Sequence, residues 1–491
     1  MRTEMNSNII WGVSALFHDA GLSVIKDGKL VFGAHAERYS GIKHDKHIND
    51  KMIAEAMTYG KPDHIVWYEN PWKKRLRQVM STEIFYDKLY PNPKKYLRGF
   101  GLDAPVTYTD HHYSHACAGA YTSPYNRAIV VVIDAIGEFT TCSVWEYDKL
   151  LGLIKRHTVN YPTSMGLLYS AFTKRCGLKP MDEEYITMGM AAWGKPIYAE
   201  QIKKDFIESM HPFKMKRNVH KGIGDYLPNA DPMDLASSIQ QVAEEFIVDF
   251  IQKAIDMHQP LPVVYQGGVA LNCVANTKLL DICKEGLWIM PNPGDCGNSL
   301  GAALTHYQNQ IIWPGPYIGT DIDYPYPVDA CITELSTNKM VGVASGRAEF
   351  GPRALGHRSL LADPRGADIK DTVNEIKRRQ KFRPFAPAIL QEHLHEYFEL
   401  NTDESPYMQF VGHCKKPDEF PAIIHVDGSS RIQTVSKDDS PGFRALLEAW
   451  YAKTGCPMLL NTSLNIRGKP MVNTREDADQ FEKEYGVKVV S

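Results

Sequence analysis

The stretch TDHHYSHACAGAY, residues 109–121, places three histidines within five positions. In a helix, residues four apart share a face, so His111 and His115 can offer two imidazoles to one ion while His112 is offset. Two ligands do not close a site, and the missing donors must come from elsewhere in the chain. Asp134 follows the apolar run AIVVVI (128–133), and Asp295 lies in PNPGDCGNSLGAAL, a glycine-rich turn that opens a helical pattern. Two imidazoles and two carboxylates would bind a divalent cation with room for water or a substrate. Spacing leaves a second reading open, in which Asp134 supports a turn and Asp295 caps a helix.

A second cluster reads GRAEFGPRALGHRSLLADPR (346–365), followed by NEIKRRQKFRPFAP (374–387). Arg353, Arg358, Arg365, Lys377 and Arg383 stand in a frame punctuated by glycine and proline, which suggests a pocket for a doubly charged anion, since guanidinium forks match phosphate oxygens. A solvated basic surface would not need the rigid FGPRALG and FRPFAP turns. Further on, HVDGSSRIQTV and LLNTSLN add Arg431, Asn461 and Ser463, suited to an amide or carbonyl as well as a phosphate. The run LPVVYQGGVALN ends a short strand on Gly267 and Gly268, where a phosphate could approach the backbone, although a tight packing turn explains the pair about as well.

The elements that must hold these residues follow from the patterning. IIWGVSALFHDAGLSVIKDGKLVFGAHA reads as strand, polar break at His18 and Asp19, strand, Asp27-Gly28 turn and strand. Residues 128–157 repeat the scheme, with the break at Asp134 and Gly137, so a duplicated α/β domain is predicted. Leu235, Ile239, Val242, Phe246 and Phe250 recur at helical spacing. The proline-, glycine- and tyrosine-rich segment 311–339 reads as a linker or crossover, which places a boundary near 325 and predicts domains 1–325 and 326–491. Beyond it GFRALLEAWYAKTG reads as a helix and CPMLLNTS as a strand.

The bulk numbers set limits. A chain of 491 residues, 43% hydrophobic and 23% charged, is a globular protein of two or more domains. Its formal charge of -3 gives no global pull toward nucleic acid or acidic lipid. Nine cysteines without a CxxC pair fit a reducing compartment, and the absence of a long apolar run or a leader pattern predicts a cytoplasmic protein that does not engage membranes. The subunit count, monomer or homodimer, is open.

Together the motifs resemble the O-carbamoyltransferase family that includes the nodulation-factor (NodU) and antibiotic-biosynthesis (CmcH, TobZ) enzymes. HDAGLSVIKDGKLVFGAHAERYSGIKHD, DHHYSHA, the Asp134 turn, GGVALN, EFGPRALGHRSLLADPR, FRPFAPAIL and LNTSLNIRGKPMV fall in that family's order across nearly the whole chain. The resemblance implies a duplicated actin-like ATPase domain related to threonylcarbamoyl transferases, followed by a YrdC-like α/β domain. The latter would turn carbamoyl phosphate and ATP into carbamoyl adenylate, and the former would bind nucleotide and a divalent metal while passing the carbamoyl group to an acceptor hydroxyl. Iron is the first expectation for the metal, with magnesium or manganese as alternatives.

Motif by motif, the resemblance assigns His111, His115, Asp134 and Asp295 to the metal, and Gly267, Gly268 and Asn272 to the nucleotide. It assigns Arg353, Lys377, Arg431, Asn461 and Ser463 to carbamoyl phosphate, and puts His18 and Lys43 at the transfer centre. His18 is suited to general-base work near neutral pH, with a buried structural histidine as its plainer reading. The chain departs from the family at Gly41, where an arginine is usual, and at Ile186, where a lysine is common; both bear on acceptor or nucleotide contacts.

For the acceptor, WKKRLRQVMSTEIFYDKLYPNPKKYLRGF (72–100) interleaves basic and aromatic residues, as a nucleic-acid partner would require. A hydroxymethylated pyrimidine, as nucleotide or in DNA, is therefore one expected acceptor, and an antibiotic or sugar hydroxyl is the other. A binding module of the same fold without chemistry, and a threonylcarbamoyl transferase acting on RNA, are the contrasting readings.

Overall fold

The run AIVVVI is buried along its length, as befits a β-branched strand covered on both faces. It belongs to a computed structural model that describes residues 8–81, 88–258, 260–322, 325–366, 368–380 and 382–491. The chain divides into two units, residues 1–36 with 44–313, and residues 37–43 with 314–491.

The first unit holds two five-stranded sheets of the same design. One contains β1 (Ile9–Ser14), β2 (Gly21–Lys26), β3 (Lys29–His35), β4 (His64–Trp67) and β5 (Val106–Tyr108) in the order β3-β2-β1-β4-β5. β1, β2 and β3 run antiparallel in succession, and β4 and β5 join in parallel. Asp27 and Gly28 both take positive φ (51° and 76°), the backbone a tight hairpin turn requires. The other sheet contains β6 (Arg127–Ile133), β7 (Thr140–Asp148) and β8 (Gly152–Asn160). After the small hairpin of β9 (Ile207–Met210) and β10 (Phe213–Met215), β11 (Val263–Gln266) and β12 (Leu287–Trp288) complete the order β12-β11-β6-β7-β8. Again three strands are antiparallel and two parallel. The predicted duplication is present, strand for strand.

Helices cover these sheets. Pro232–Asp256 starts on Asp231, whose side chain accepts from Met233 N–H, and buries Leu235, Ile239, Val242 and Phe246. Helix His111–Thr122 packs on helix Asn298–Tyr307 at backbone distance: a Cβ on Gly301 would lie 2.0 Å from the Ser114 carbonyl oxygen. This approach brings the histidine-bearing turn against the loop that carries Asp295.

The second unit is built on an eight-stranded mixed sheet. Its elements are β13 (Tyr317–Ile322), β14 (Met340–Ala344), β15 (Gly346–Glu349), β16 (Arg358–Ala362), β17 (Ala386–Leu390), β18 (Phe398–Glu399), β19 (Phe410–Cys414), β20 (Ser429–Val435), β21 (Met458–Ser463) and β22 (Val489–Val490). The sheet order is β18-β19-β20-β17-β21-β16-β14-β22, with β13 and β15 forming a separate pair. The helix read in GFRALLEAWYAKTG spans Pro441–Thr454, ends on Gly455 at φ 70°, and leads into β21 as expected.

Segment 311–339 is not the linker it resembled. It contains β13 and the helix Val328–Asn338, because its prolines and glycines punctuate element ends: Pro327 stands at the N-cap and Gly315 takes φ 85°.

Candidate functional site

The β6 strand delivers Asp134 to its carboxyl end, and the first turn of helix His111–Thr122 delivers His111 and His115 beside it. His111 Nε2 lies 3.2 Å from Asp134 Oδ2, 3.4 Å from Asp295 Oδ1 and 3.2 Å from His115 Nε2, and His115 Nε2 lies 3.5 Å from Asp295 Oδ1. All four donor atoms fall within 4.8 Å of one another. A tetrahedral ion about 2.0–2.1 Å from each donor sets donor–donor edges of about 3.3 Å, so the set fits a divalent cation. Two imidazole nitrogens facing each other fit it as well, since without an ion they can share only one proton.

The residues around the cluster hold it in place. Asp134 Oδ1 accepts the Gly268 N–H at 3.0 Å, so this carboxylate also ties down a turn, whereas Asp295 does not cap the following helix, whose N-cap is Gly297. Glu138 accepts the His111 N–H with both oxygens (3.1 and 3.2 Å) and the Asn70 N–H at 2.7 Å. Sequence reasoning missed this residue, although it stands in DAIGE, four places after Asp134. The His111 ring lies against Gly137, where a Cβ would come within 3.1 Å of it. His112 is buried, bonds the Ser143 hydroxyl at 2.9 Å, and is held well below the usual histidine pKa by burial and by the neighbouring His111 charge.

Charge dominates the cluster. Burial pulls the His111 pKa down, but the Asp295 charge and the Asp134 hydrogen bond outweigh it and raise it to about 9. Asp134 is buried, which alone would raise its pKa, yet the His111 contacts hold it far below the carboxylate range.

The remaining expected residues of this unit sit close by or apart. Gly267 ends β11 at φ 97°, and a Cβ there would lie 2.1 Å from the Ile133 carbonyl oxygen, so β6 and β11 meet tightly beside Asp134. Asn272 caps the helix Cys273–Leu279 and exchanges hydrogen bonds with Gln240 at 3.0 Å. His18 lies in the loop between β1 and β2, where its Nδ1 meets Asp19 Oδ2 at 2.8 Å; burial pulls its pKa down, but Asp19, aided by Asp295, outweighs burial and raises it. Lys43 belongs to the second unit, where its Nζ donates to both Glu37 oxygens at 2.8 and 2.9 Å.

In the second unit β21 carries Asn461 and Ser463 on one face. Lys377 Nζ is buried and donates to the Ser463 hydroxyl (3.3 Å) and to Asn465 Oδ1 and carbonyl oxygen (3.0 Å each). Burial, then Arg379 and Arg383, pushes its pKa well below the usual lysine value. Asn461 donates to Gln433 Oε1 at 2.7 Å and to the Ala354 carbonyl at 3.1 Å, beside Arg353; its own Oδ1 is buried without a hydrogen-bond partner among the described residues. Arg431 stands on β20 two residues before Gln433. Lys377, Ser463 and Asn465 are thus joined by hydrogen bonds, as are Asn461 and Gln433, while Arg353 adjoins Ala354 in the chain and Arg431 shares a strand with Gln433; nothing in the sequence distinguished Gln433 and Asn465.

Two arginines of the expected anion cluster serve the fold instead. Arg358 is fully buried and donates to the carbonyls of Ser345, Gly346, His357, Thr320 and Asn473. Arg365 forms a two-pronged pair with Asp363, 2.9 Å at each contact. The FGPRALG loop is gathered by Glu349, whose buried Oε1 accepts the N–H groups of Leu355, His357 and Arg358.

The basic stretch 72–100 is also less available than its composition suggests. Lys74 and Arg77 turn inward, with Lys74 Nζ 3.1 Å from buried Glu69, and Tyr90 is buried against Trp67. Trp72 is exposed, while Glu83, Phe85, Tyr86 and Asp87 lie outside the described residues.

Family models match part of each unit. Residues 100–304 match the carbamoyltransferase N-terminus and residues 332–491 match the carbamoyltransferase C-terminus. Nodulation protein U of Rhizobium tropici is 34% identical over 92% of this chain and 90% of its own. The chain belongs to the carbamoyltransferase family. Within this family it is 29% identical to nodulation protein NolNO of Sinorhizobium fredii over 97% of this chain and 78% of that one. It is 25% identical to the 3'-hydroxymethylcephem-O-carbamoyltransferase of Amycolatopsis lactamdurans over 96% and 95%. These relatives make the NodU and CmcH group of O-carbamoyltransferases its kin and support a transferase. Among solved structures, component A of the Acidaminococcus fermentans (R)-2-hydroxyglutaryl-CoA dehydratase aligns with 61% of this carbamoyltransferase and 97% of its own chain, at 14% identity and a TM-score of 0.37. No helix among the described residues is long and apolar enough to cross a membrane.

Proposed function

We propose that this carbamoyltransferase hydrolyses carbamoyl phosphate to carbamate and phosphate, joins the carbamate to ATP as carbamoyl adenylate with release of pyrophosphate in its second, YrdC-like unit, and transfers the carbamoyl group to an acceptor hydroxyl in its first, actin-like unit. The observation that carries the reading is the closed set of His111, His115, Asp134 and Asp295 in a family whose relatives include an O-carbamoyltransferase. Those four residues would hold a divalent cation, iron by preference, which when bound neutralises charge developing on oxygen during transfer.

The chain's own groups divide the remaining work. Lys377, Ser463, Asn461, Arg353 and Arg431 suit the carbamoyl and phosphate oxygens, and adenylation replaces a sluggish carbamate with an AMP leaving group. Gly267 and Gly268 let a nucleotide approach the backbone at the end of β11. His18 takes the proton of the acceptor hydroxyl as its oxygen attacks the carbonyl carbon, and the bond from that carbon to the AMP phosphate oxygen breaks. Lys43, paired with Glu37, contributes positive charge in its own unit.

The acceptor is a small hydroxyl compound such as a sugar or antibiotic precursor. The inward turn of Lys74 and Arg77 removes two cations from the surface a DNA acceptor would need, which leaves a free hydroxymethylated pyrimidine nucleotide as the second reading. Incubation with carbamoyl phosphate, ATP and ferrous iron should release pyrophosphate, and mass spectrometry of candidate alcohols should find added carbamoyl. No pyrophosphate with any divalent metal would instead favour a nucleotide-binding module of the same family.

A further inference from the structure

Behind His18 runs a line of side chains that the transfer chemistry above does not use. His18 Nδ1 meets Asp19 Oδ2 at 2.8 Å, and the other oxygen of Asp19 meets His44 Nδ1 at 2.7 Å. His44 Nε2 in turn meets Asp182 Oδ1 at 2.5 Å, and Asp182 Oδ2 takes the Lys179 ammonium at 2.6 Å. The two rings stack, centroids 5.0 Å apart and 28° from parallel. Two backbone bonds clamp the loops together, Leu16 N–H to the Lys46 carbonyl at 2.6 Å and Ala20 N–H to the Asp45 carbonyl at 2.8 Å.

We propose that Asp19, His44 and Asp182 are positioning residues that fix His18 with its proton on Nδ1 and its lone pair on Nε2, ready for the acceptor hydroxyl. The inference rests on the transfer reading for its consequence but on the geometry for its substance. Both nitrogens of His44 lie close to carboxylate oxygens, Nδ1 at 2.7 Å from Asp19 and Nε2 at 2.5 Å from Asp182, an arrangement that favours a proton on each. Asp19 accepts from two rings and donates to neither, so the His18 nitrogen facing it is the protonated one. Charges then alternate along the line from Asp19 through His44 and Asp182 to Lys179, with His18 at its head.

The same three residues, His18, Asp19 and His44, could be taken for a second metal site. Distance decides against it. Their contacts of 2.7 and 2.8 Å are those of charge-assisted hydrogen bonds, whereas the spacings of 3.2 to 3.5 Å in the His111 cluster are those of ligands around an ion. The backbone points the same way. Asp19, His44 and Met181, the neighbour of Asp182, all take positive φ (43°, 54° and 63°), as does Leu16 at 77°. Such conformations in residues other than glycine persist where surrounding structure enforces them, often at sites of function.

The balance of the step is simple. As the acceptor oxygen bonds to the carbamoyl carbon and AMP departs, the hydroxyl proton moves to His18 Nε2, which later releases it to water. Burial disfavours the imidazolium so formed, but Asp19 outweighs burial and the neighbouring His44 and stabilises it. The charged groups whose fields reach His18 are Asp19, His44 and Asp295.

The test reads ring nitrogens directly. In metal-free protein labelled with 15N-histidine, the His18 signal, identified by its loss in His18→Ala, should show protonated Nδ1 and unprotonated Nε2, and His44 should show two protonated nitrogens. Asp19→Asn should move His18 toward a mixture of tautomers and lower the transfer kcat by about 10²–10⁴-fold, leaving acceptor KM and pyrophosphate release unchanged. Asp182→Asn, the milder change, should cost about 10-fold in kcat and cause His44 to lose a proton near neutral pH. If Asp19→Asn does not fold, the Asp182→Asn spectra decide alone. A native His18 protonated on Nε2, or Asp182→Asn spectra identical to native, would overturn the chain of positioning residues. Absence of pyrophosphate release in the native protein would instead strike the carbamoyl reading and leave the ring assignments to stand or fall separately.

Discussion

His111 Nε2 and His115 Nε2 face each other across 3.2 Å, both rings buried, with the Asp134 and Asp295 carboxylates against them. Removing one imidazole should therefore empty the cation site without touching the second unit. His115→Ala and His111→Ala should bind divalent metal more than about 10-fold more weakly, since losing even a partner behind the ligands costs that much, as read by equilibrium dialysis. Carbamoyl transfer should vanish, while pyrophosphate release from ATP and carbamoyl phosphate should persist. Equal loss of both half-reactions would contradict the division of labour.

Acid and base should act differently on metal-free and metal-loaded protein. The His111 pKa rises from 6.5 to about 9 on folding, because Asp295 and Asp134 outweigh the effect of burial. A raised pKa contributes stability that is complete below 6.5 and lost as pH climbs through about 9. Metal-free protein should thus show a melting temperature that falls across that window, and bound metal, which replaces the proton, should flatten the fall. Differential scanning fluorimetry from pH 6 to about 9.5, with and without ferrous iron or manganese, checks both curves. A metal-free curve that rises would refute the assignment.

The buried pair of Glu69 and Lys74 offers a test of packing. Both side chains are almost wholly shielded, and Lys74 Nζ sits 3.8 Å above the Phe17 ring as well as 3.1 Å from Glu69. Lys74→Met should cost about 3–5 kcal/mol by stranding a carboxylate, and Glu69→Gln added to it should recover most of that loss. Urea unfolding of the two single variants and the double variant gives the coupling. Additive losses would show that the pair is not a unit.

Lys377 should matter to the other half-reaction. With its ammonium bonded to Ser463 and Asn465, Lys377→Met should reduce pyrophosphate release by about 10²–10³-fold, the scale of losing one preorganised donor, and leave metal binding intact. Isotopic exchange between pyrophosphate and ATP measures it. An unchanged exchange rate would remove Lys377 from the anion site.

What could be read in advance divides along a physical line. The i, i+4 spacing of His111 and His115 and the acid at the end of AIVVVI are local patterns, and the structure brings exactly these donors together with Asp295 because strand ends and helix starts converge in a duplicated α/β unit. The line of Asp19, His44 and Asp182 was illegible, since it joins three loops through backbone conformations that residue type does not announce. Arg358 was misread because charge does not reveal that five carbonyl groups will surround it. The stretch 72–100 did carry a warning: Pro71, Lys74, Arg77 and Gln78 recur at helical spacing and form the buried face of helix Pro71–Met80.

Residues 37–43 belong by their contacts to the second unit, although the chain on either side of them belongs to the first. Arg38 from this short excursion donates to the Gly351 carbonyl at 3.0 Å, and its charge helps keep buried Glu349 ionised at the root of the FGPRALG loop. A gene cut at codon 314 would therefore deliver a C-terminal product missing an internal brace, so the second unit is not a simple end-to-end addition to the first. Supplying the excised heptapeptide in trans, or splicing it through a short loop, is what an engineer wishing to separate the two units would have to do.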